Sequence, residues 1–406
     1  MRAVAAVLSP RPFSLGMVGP AAPREFADHL GQSPDALPGG LGGSPVNLLT
    51  RELLRRGHRV TLFTLDPLLS AERVFEGPQL KVVVGPYRPR ARDRARDLFG
   101  RERSFLLQAI TRERPDVLHA QWTYEYAWPA QQSKLPLVVT AHDAPLNVLR
   151  FNPTAYRLVR TLMAYRVLAR ARNVVAVAPH VSDHLRRFML YDGPRQVIPN
   201  GMPEALFNVE APPSDQQRPP CFGTVLSGWG AYKNGRAAIE AFAGLRKTRP
   251  EVTLHMFGPD HGPGQVAQQY AVGRGIAEGI QFVGALPHRQ LLDRLAREVD
   301  VLVHPSLEEA QPMVLIEAMA LGIPVIAGRR SGGVPWTLDD GRVGLLVDVR
   351  DPPAIAEAMK ALLDDNARRR QLGQQGKDLA RQRYHIATIA AAYEPIYQRL
   401  LQEAHA

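Results

Sequence analysis

The stretch HPSLEEAQPMVLIEAMALGIPVIA, residues 304–327, decides how the chain is read. Val301, Leu302 and Val303 just before it make a short apolar run suited to a buried strand, and Met313 to Leu321 reads as helix. Pro312 suits the first helical turn, where its missing N–H costs nothing and its fixed φ fits. Glu309 therefore stands in the loop at the carboxyl end of a strand. Glu317 follows a little over two helical turns further on. Crevices at strand carboxyl ends are where open α/β sheets bind ligands. Taken without their flanks, Glu308, Glu309 and Glu317 would read as ordinary solvated charges.

Outward from this stretch, apolar β-rich runs alternate with helical patterns, which argues for parallel sheets built of βα units. In the first half the strands read AVAAVL (3–8), VTLFTL (60–65), LKVVV (80–84), DVLHA (116–120), LVVTA (137–141), VVAVA (174–178) and QVIPN (196–200). In the second half they read CFGTVL (221–226), VTLHMFG (252–258), IQFVG (280–284), VLVHPS (301–306), PVIAG (324–328) and GLLV (344–347). Residues 45–56 form a helix with Val46, Leu49, Leu53 and Leu54 on one face, opened by Ser44 as cap and Pro45 in the first turn. Residues 94–112 read as one more amphipathic helix, with Leu98, Phe99, Phe105 and Leu106 inward and arginines outward. The Pro-rich segment VEAPPSDQQRPP (209–220) breaks the rhythm as a linker. The chain of 406 residues is long for one core and suits two.

These motifs together resemble the retaining GT-B glycosyltransferases of family 4. The resemblance implies an α/β fold of two Rossmann-like, doubly wound domains facing across a cleft. Residues 1–207 would be the acceptor domain, 208–220 the linker, 221–384 the nucleotide-sugar donor domain, and 385–406 a helix crossing back. In that family the first Glu of the E-x7-E pair, here Glu309, lies against the donor sugar, and the second, Glu317, accepts hydrogen bonds from the ribose. A carboxylate suits both tasks because it is acceptor-only and can take two adjacent hydroxyls. Gln311, Met313 and Val314, within the same motif, are implied donor contacts.

Three further segments carry the resemblance. PGGLGGSPVNLLTRELLRRGHRVTLFT (38–64) is similar to the glycine loop and first helix that face the donor diphosphate, which assigns Gly42 and Gly43 to it. Glycines let a backbone approach phosphate closely, and a helix N-terminus offers free N–H groups. VVTAHD places His142 where the family carries a histidine close to the sugar. GWGAYKNGRAAIEAFAGL (228–245) is similar to the segment whose lysine, here Lys233, reaches the leaving diphosphate, with Ser227 and Trp229 as further donor contacts. One departure stands out. The arginine that normally precedes this lysine is absent, and Ser227 and Gly228 occupy its place. Ser331 to Val334 in RRSGGVPW are expected to shape the mouth of the crevice.

The implied activity is retaining, metal-independent transfer of a sugar from a nucleotide-diphosphate sugar to a glycan, glycolipid or small-molecule acceptor, with no cofactor. A noncatalytic sugar-nucleotide or glycan-binding protein of the same fold is the alternative. An NAD-dependent oxidoreductase would need a full dinucleotide fingerprint, but Gly40-x-Gly42-x-x-Pro45 lacks the third glycine, although Asp66 lies near the end of the second strand. His180 and His184 share helical spacing without a third ligand, so no metal is expected.

Composition narrows the setting. The lone Cys221 excludes an intrachain disulfide. No apolar run approaches the roughly 18 residues of a bilayer span, and MRAVAAVLSP reads as a first strand in preference to a signal peptide. The net charge is +11, and it sits in the first half, where residues 1–203 hold 28 Lys and Arg against 16 Asp and Glu. The arginines between Arg88 and Arg114 supply much of it. With no nucleic-acid-binding motif in the chain, the excess suggests a cytoplasmic protein touching the inner face of an anionic membrane.

Overall fold

The computed structural model describes residues 12–209 and 218–405, in two parallel sheets flanked by helices. The first sheet has the order β3-β4-β2-β1-β5-β6-β7-β8. Its strands are β1 (Ser14–Val18), β2 (Arg59–Asp66), β3 (Arg73–Glu76), β4 (Leu80–Pro86), β5 (Val117–Gln121), β6 (Leu137–Ala141), β7 (Val174–Ala176) and β8 (Arg195–Val197). Only β3, at the edge, runs antiparallel. The second sheet has the order β11-β10-β9-β12-β13-β14 and is parallel throughout. It comprises β9 (Cys221–Val225), β10 (Thr253–Phe257), β11 (Ile280–Gly284), β12 (Val301–His304), β13 (Val325–Gly328) and β14 (Leu345–Val347). Every residue of β5 and β12 is buried, as helices on both faces of a parallel sheet require.

In each sheet the chain winds outward from a central strand and then returns to that strand's other side. Strand order therefore reverses between β1 and β5 and again between β9 and β12. Loops diverge at such points and leave a crevice beyond the strand ends.

Two expectations need correction, and another falls outside the described residues. The apolar run at residues 3–8 lies outside the described residues, and the central strand is Ser14–Val18, paired with β2 and β5. Glycine in its middle weakens the strand signal, yet a Cβ at Gly16 would stand 2.5 Å from the Leu118 side chain and 2.6 Å from that of Pro115. Close packing thus accounts for the residue that obscures the strand. The expected helix over 94–112 is two helices, Ala91–Arg96 and Gly100–Glu113, broken where Leu98 and Phe99 take positive φ. The cap of the Ser44–Arg55 helix is Gly43, with Ser44 already inside. Most of the linker expected at 209–220 lies outside the described residues.

The same region changes the reading of the basic run. Arg94 is buried, its guanidinium 4.2 Å from the Tyr87 ring centre. Arg88 holds Glu102 and Asp97, and Arg112 pairs with Glu72 and Glu113. Phe99 and Leu106 point inward, whereas Leu98 is exposed.

The last helix, Ile386–His405, lies against the Ser44–Arg55 helix and against β5 and β6. It is reached through backbone bonds from Met202 N–H to Tyr384 and from Ile386 N–H to Met202. Glu394 then accepts two hydrogen bonds from Arg56, each 2.6 Å, and one at 3.1 Å from His58.

Candidate functional site

Lys233 follows β9 and Glu309 follows β12, the two strands at the second sheet's reversal point. Their separation in sequence is closed to a 2.7 Å contact between Lys233 Nζ and Glu309 Oε1. His304, the last residue of β12, places Nε2 3.2 Å from the same oxygen. Glu309 is 14% exposed. Burial pushes its carboxyl up, but His304 and the Lys233 charge outweigh burial and hold it at about 2. The site therefore keeps an ionised carboxylate.

Two local devices aim these side chains. Asn234 adopts φ 55, a left-handed conformation that Asn tolerates better than most residues, and its amide donates to the carbonyls of Pro305 and Val349. The helix Gly235–Arg246 starts there, which places Lys233 at the loop's end. Beneath the Glu309 loop, Gly333 N–H donates to the Glu309 carbonyl at 2.7 Å. A Cβ at Gly333 would stand 1.9 Å from the Ala310 carbonyl, so only glycine allows this backbone contact. The SGG segment thus supports the loop from behind.

Across the cleft, His142 leaves β6 and lines the same cavity, of about 200 Å³, as Lys233, Glu309, Gln311, Tyr232 and Arg157. Its ring stacks on Trp122, with centroids 4.2 Å apart. His142 Nε2 lies 2.6 Å from Gln121 Oε1. Burial pushes the imidazole down to about 3, so it is neutral near pH 7. The neighbouring Asp143 accepts from Tyr124 Oη at 2.7 Å, and burial raises its carboxyl. Two larger depressions, of about 620 and 720 Å³, open elsewhere; the first sits at the amino end of β6 and neither is lined by these residues.

The glycine loop is pinned to the ends of β1 and β2. Gly40 N–H donates to Asp66 at 2.6 Å, and a Cβ at Gly43 would meet the Pro20 carbonyl at 2.0 Å. Gly42, at φ 79, has nothing within 4 Å of where a Cβ would be. Asp66 also accepts from Leu68 N–H. Each of its oxygens thus accepts one backbone hydrogen bond, which ties the glycine loop to the end of β2.

Gln311 is buried on the cavity wall and accepts from Asn200 N–H at 2.7 Å, tying the two halves together. Met313 and Val314 begin the helix Met313–Ala320, half-buried, with Pro312 as its cap. Glu317 is buried on that helix and binds His288 Nε2 at 2.8 Å. Ser227 is exposed after β9, and Trp229 packs beside Tyr270 and His261. Gly42, Gly43, Ser227, Trp229, Met313, Val314 and Glu317 do not line the 200 Å³ cavity.

Sequence reasoning passed over Gln121, Trp122, Arg157, His288 and the role of His304. Only His304 carried a visible signal, since it stood inside VLVHPS. Glu308, to which the motif assigns no role, accepts from His180 Nε2 at 2.7 Å and from Asn147 at 2.9 Å. His184 accepts from Leu146 N–H, so the two histidines have separate partners. Among the described residues no group of three or more His, Cys, Asp or Glu side chains could hold a metal ion. No helix among them is long and apolar enough to cross a membrane.

Comparison with known proteins follows the two sheets. Residues 45–205 match the family described as Glycosyltransferase Family 4, and residues 227–379 match Glycosyl transferases group 1. D-inositol 3-phosphate glycosyltransferase of Corynebacterium efficiens is 28% identical over 390 residues, covering 88% of this chain and 91% of that protein. Sucrose-phosphate synthase from Thermosynechococcus elongatus superimposes with a TM-score of 0.78 at 22% identity, over 96% of this chain and all of that one. Anabaena HepE in complex with UDP-glucose gives 0.64 at 18% identity, over 96% and 99%.

Proposed function

We propose, from the premise that the chain belongs to the group 1 glycosyltransferases of family 4 and is a glycosyltransferase of the GT-B fold, that it moves a sugar from a nucleotide-diphosphate sugar to a hydroxyl acceptor with retention and without a metal. The observation that carries this reading is the cavity in which Lys233, Glu309 and His142, delivered by two different sheets, face one another. The donor diphosphate lies between Lys233 and the Gly42–Gly43 loop, where an ammonium and free backbone N–H groups stabilise growing negative charge. Glu309 and His142 hold the sugar. The departing phosphate oxygen takes the acceptor proton, so no protein base is required. UDP-glucose is the first donor to try, since HepE binds it in the same fold.

Screening UDP-, GDP- and ADP-sugars for thermal stabilisation tests the donor class, because a ligand that prefers the folded state raises its stability. Absence of stabilisation by any of them would overturn the reading. Stabilisation without turnover would favour a binding protein, a reading that draws on Gly228, whose φ of 109 occupies the place of the family's arginine. In this assignment Glu317 holds the ribose. Glu317→Ala is expected to weaken donor affinity by about 1–3 kcal/mol, the range for a lost hydrogen bond to a charged group, and calorimetry on the folded variant reads it.

The acceptor carries an anionic group. Arg157 stands on the cavity wall and forms no ion pair among the described residues, and the name of a similar protein specifies inositol 3-phosphate. Arg157→Ala should raise KM for an anionic acceptor about tenfold or more, as expected for loss of a charge-assisted bond, and leave donor affinity unchanged. An equal effect on neutral and anionic acceptors would remove the assignment.

A further inference from the structure

Resting on the reading that His142 faces the donor sugar, we propose that Gln121 is a positioning residue for His142, and that the last helix of the chain sets Gln121 through His119, Tyr397 and Tyr393.

The geometry is a continuous buried chain. Side chains alternate along a strand, so His119 and Gln121 project from the same face of β5. Gln121 pairs in register with Thr140 of β6, and His142 follows two residues later. That face is covered by the helix Ile386–His405. His119 Nδ1 lies 2.7 Å from Tyr397 Oη, and His119 Nε2 lies 2.7 Å from Thr140 Oγ1. Thr140 Oγ1 in turn lies 2.9 Å from Tyr393 Oη. The Gln121 amide spans the remaining gap, with Nε2 3.1 Å from His119 Nε2 and Oε1 2.6 Å from His142 Nε2. His119, Gln121, Thr140, Tyr393 and Tyr397 are all at most 3% exposed. Water cannot substitute for a missing partner in so dry a chain.

This arrangement couples the two imidazoles. Burial holds both His119 and His142 at about 3, so each is neutral and carries one N–H. A carboxamide presents a donor at one end and an acceptor at the other. With Oε1 turned to His142, that ring carries its proton on Nε2 and keeps Nδ1 as a bare acceptor. Turning the amide over reverses the roles at both rings, so neither histidine selects its tautomer alone. Trp122 fixes the ring plane by stacking from a left-handed backbone conformation, φ 63, which a bulky residue holds only when its surroundings impose it. Plane and proton position are thus set by different neighbours. The group that sets the proton is anchored on a helix more than 250 residues further along the chain.

The test uses the full chain with ¹⁵N-labelled histidine, read by ring-nitrogen shifts, together with kcat and donor KM measured as UDP release from UDP-glucose. Wild type should show His142 as a single Nε2–H tautomer. Gln121→Met, of similar volume but without an acceptor, should give mixed tautomers and lower kcat about 10- to 100-fold with KM within about twofold, in keeping with loss of one oriented polar group. Gln121→Glu keeps an acceptor and should retain the tautomer and most of kcat. Tyr397→Phe should shift the His142 signals in the same direction by less, and it serves should Gln121→Met not fold. An unchanged His142 spectrum in Gln121→Met and in Tyr397→Phe would overturn the proposal, as would equal kcat losses in Gln121→Met and Gln121→Glu. Failure of the underlying reading looks different: His142→Ala would then leave kcat intact, while Gln121→Met would still change the His142 tautomer.

Discussion

Lys233→Ala should lower kcat at saturating donor by roughly two to three orders of magnitude, the range for removing one preorganised group that stabilises transition-state charge. Lys233 Nζ contacts Glu309 at 2.7 Å, so its ammonium is oriented by an ion pair at the strand ends. In the proposed assignment donor binding brings the diphosphate to that ammonium, and charge on the leaving oxygen grows only as the sugar–phosphate bond breaks. Stabilisation that appears chiefly in the transition state shows in kcat more than in donor affinity. Nucleotide affinity should therefore move only a few-fold. Near-normal kcat at saturating donor would reject the role and direct attention to another cation, with Arg236 the nearest in sequence.

The second large effect is on stability, through Glu309. Its folded carboxyl sits at about 2 against an ordinary 4.5, because His304 and Lys233 outweigh the cost of burial. A shift of this size corresponds to roughly 3 kcal/mol of stabilisation by proton linkage. Since the folded value is depressed, the contribution is complete above the unfolded carboxyl's titration near 4.5. It is lost as pH falls toward 2. Glu309→Gln should therefore be less stable than the wild type by roughly 3 kcal/mol near pH 6, with a little over half of that difference gone by pH 3. Chemical denaturation of both proteins between pH 6 and pH 3 measures it. A gap that does not change with pH would mean the ion pair contributes nothing specific. The same variant should lose most activity if Glu309 holds the sugar as proposed, since the sugar then loses an ionised acceptor and Lys233 its anchor.

Much of the site was legible because its chemistry is local. Lys233, Glu309 and His142 each follow a strand by at most eight residues, and the strands announce themselves as apolar runs. The proteins to which this chain is similar fall on the same two segments that the motifs marked. Glu308 carried no readable role for the opposite reason. Its partners His180 and Asn147 belong to the other half of the chain, and no local pattern reports a contact made across a cleft. The amphipathic pattern over residues 94–112 failed at one point only, because two left-handed residues interrupt a helix without altering which side chains are apolar.

What the sequence by itself determined is the order of elements, the two doubly wound halves, and which residue types end the strands that flank each reversal of strand order. Hydrophobic periodicity and glycine placement are short-range properties, readable within a window of about a dozen residues. Tertiary structure alone decided that Ser14–Val18 is the central strand. It also decided that several arginines of the basic run are held by internal carboxylates and rings, and that a tyrosine pair on the final helix reaches His142 through His119 and Gln121. These depend on which surfaces meet. A buried polar group needs a partner, but nothing in its own neighbourhood of sequence says from how far along the chain that partner comes.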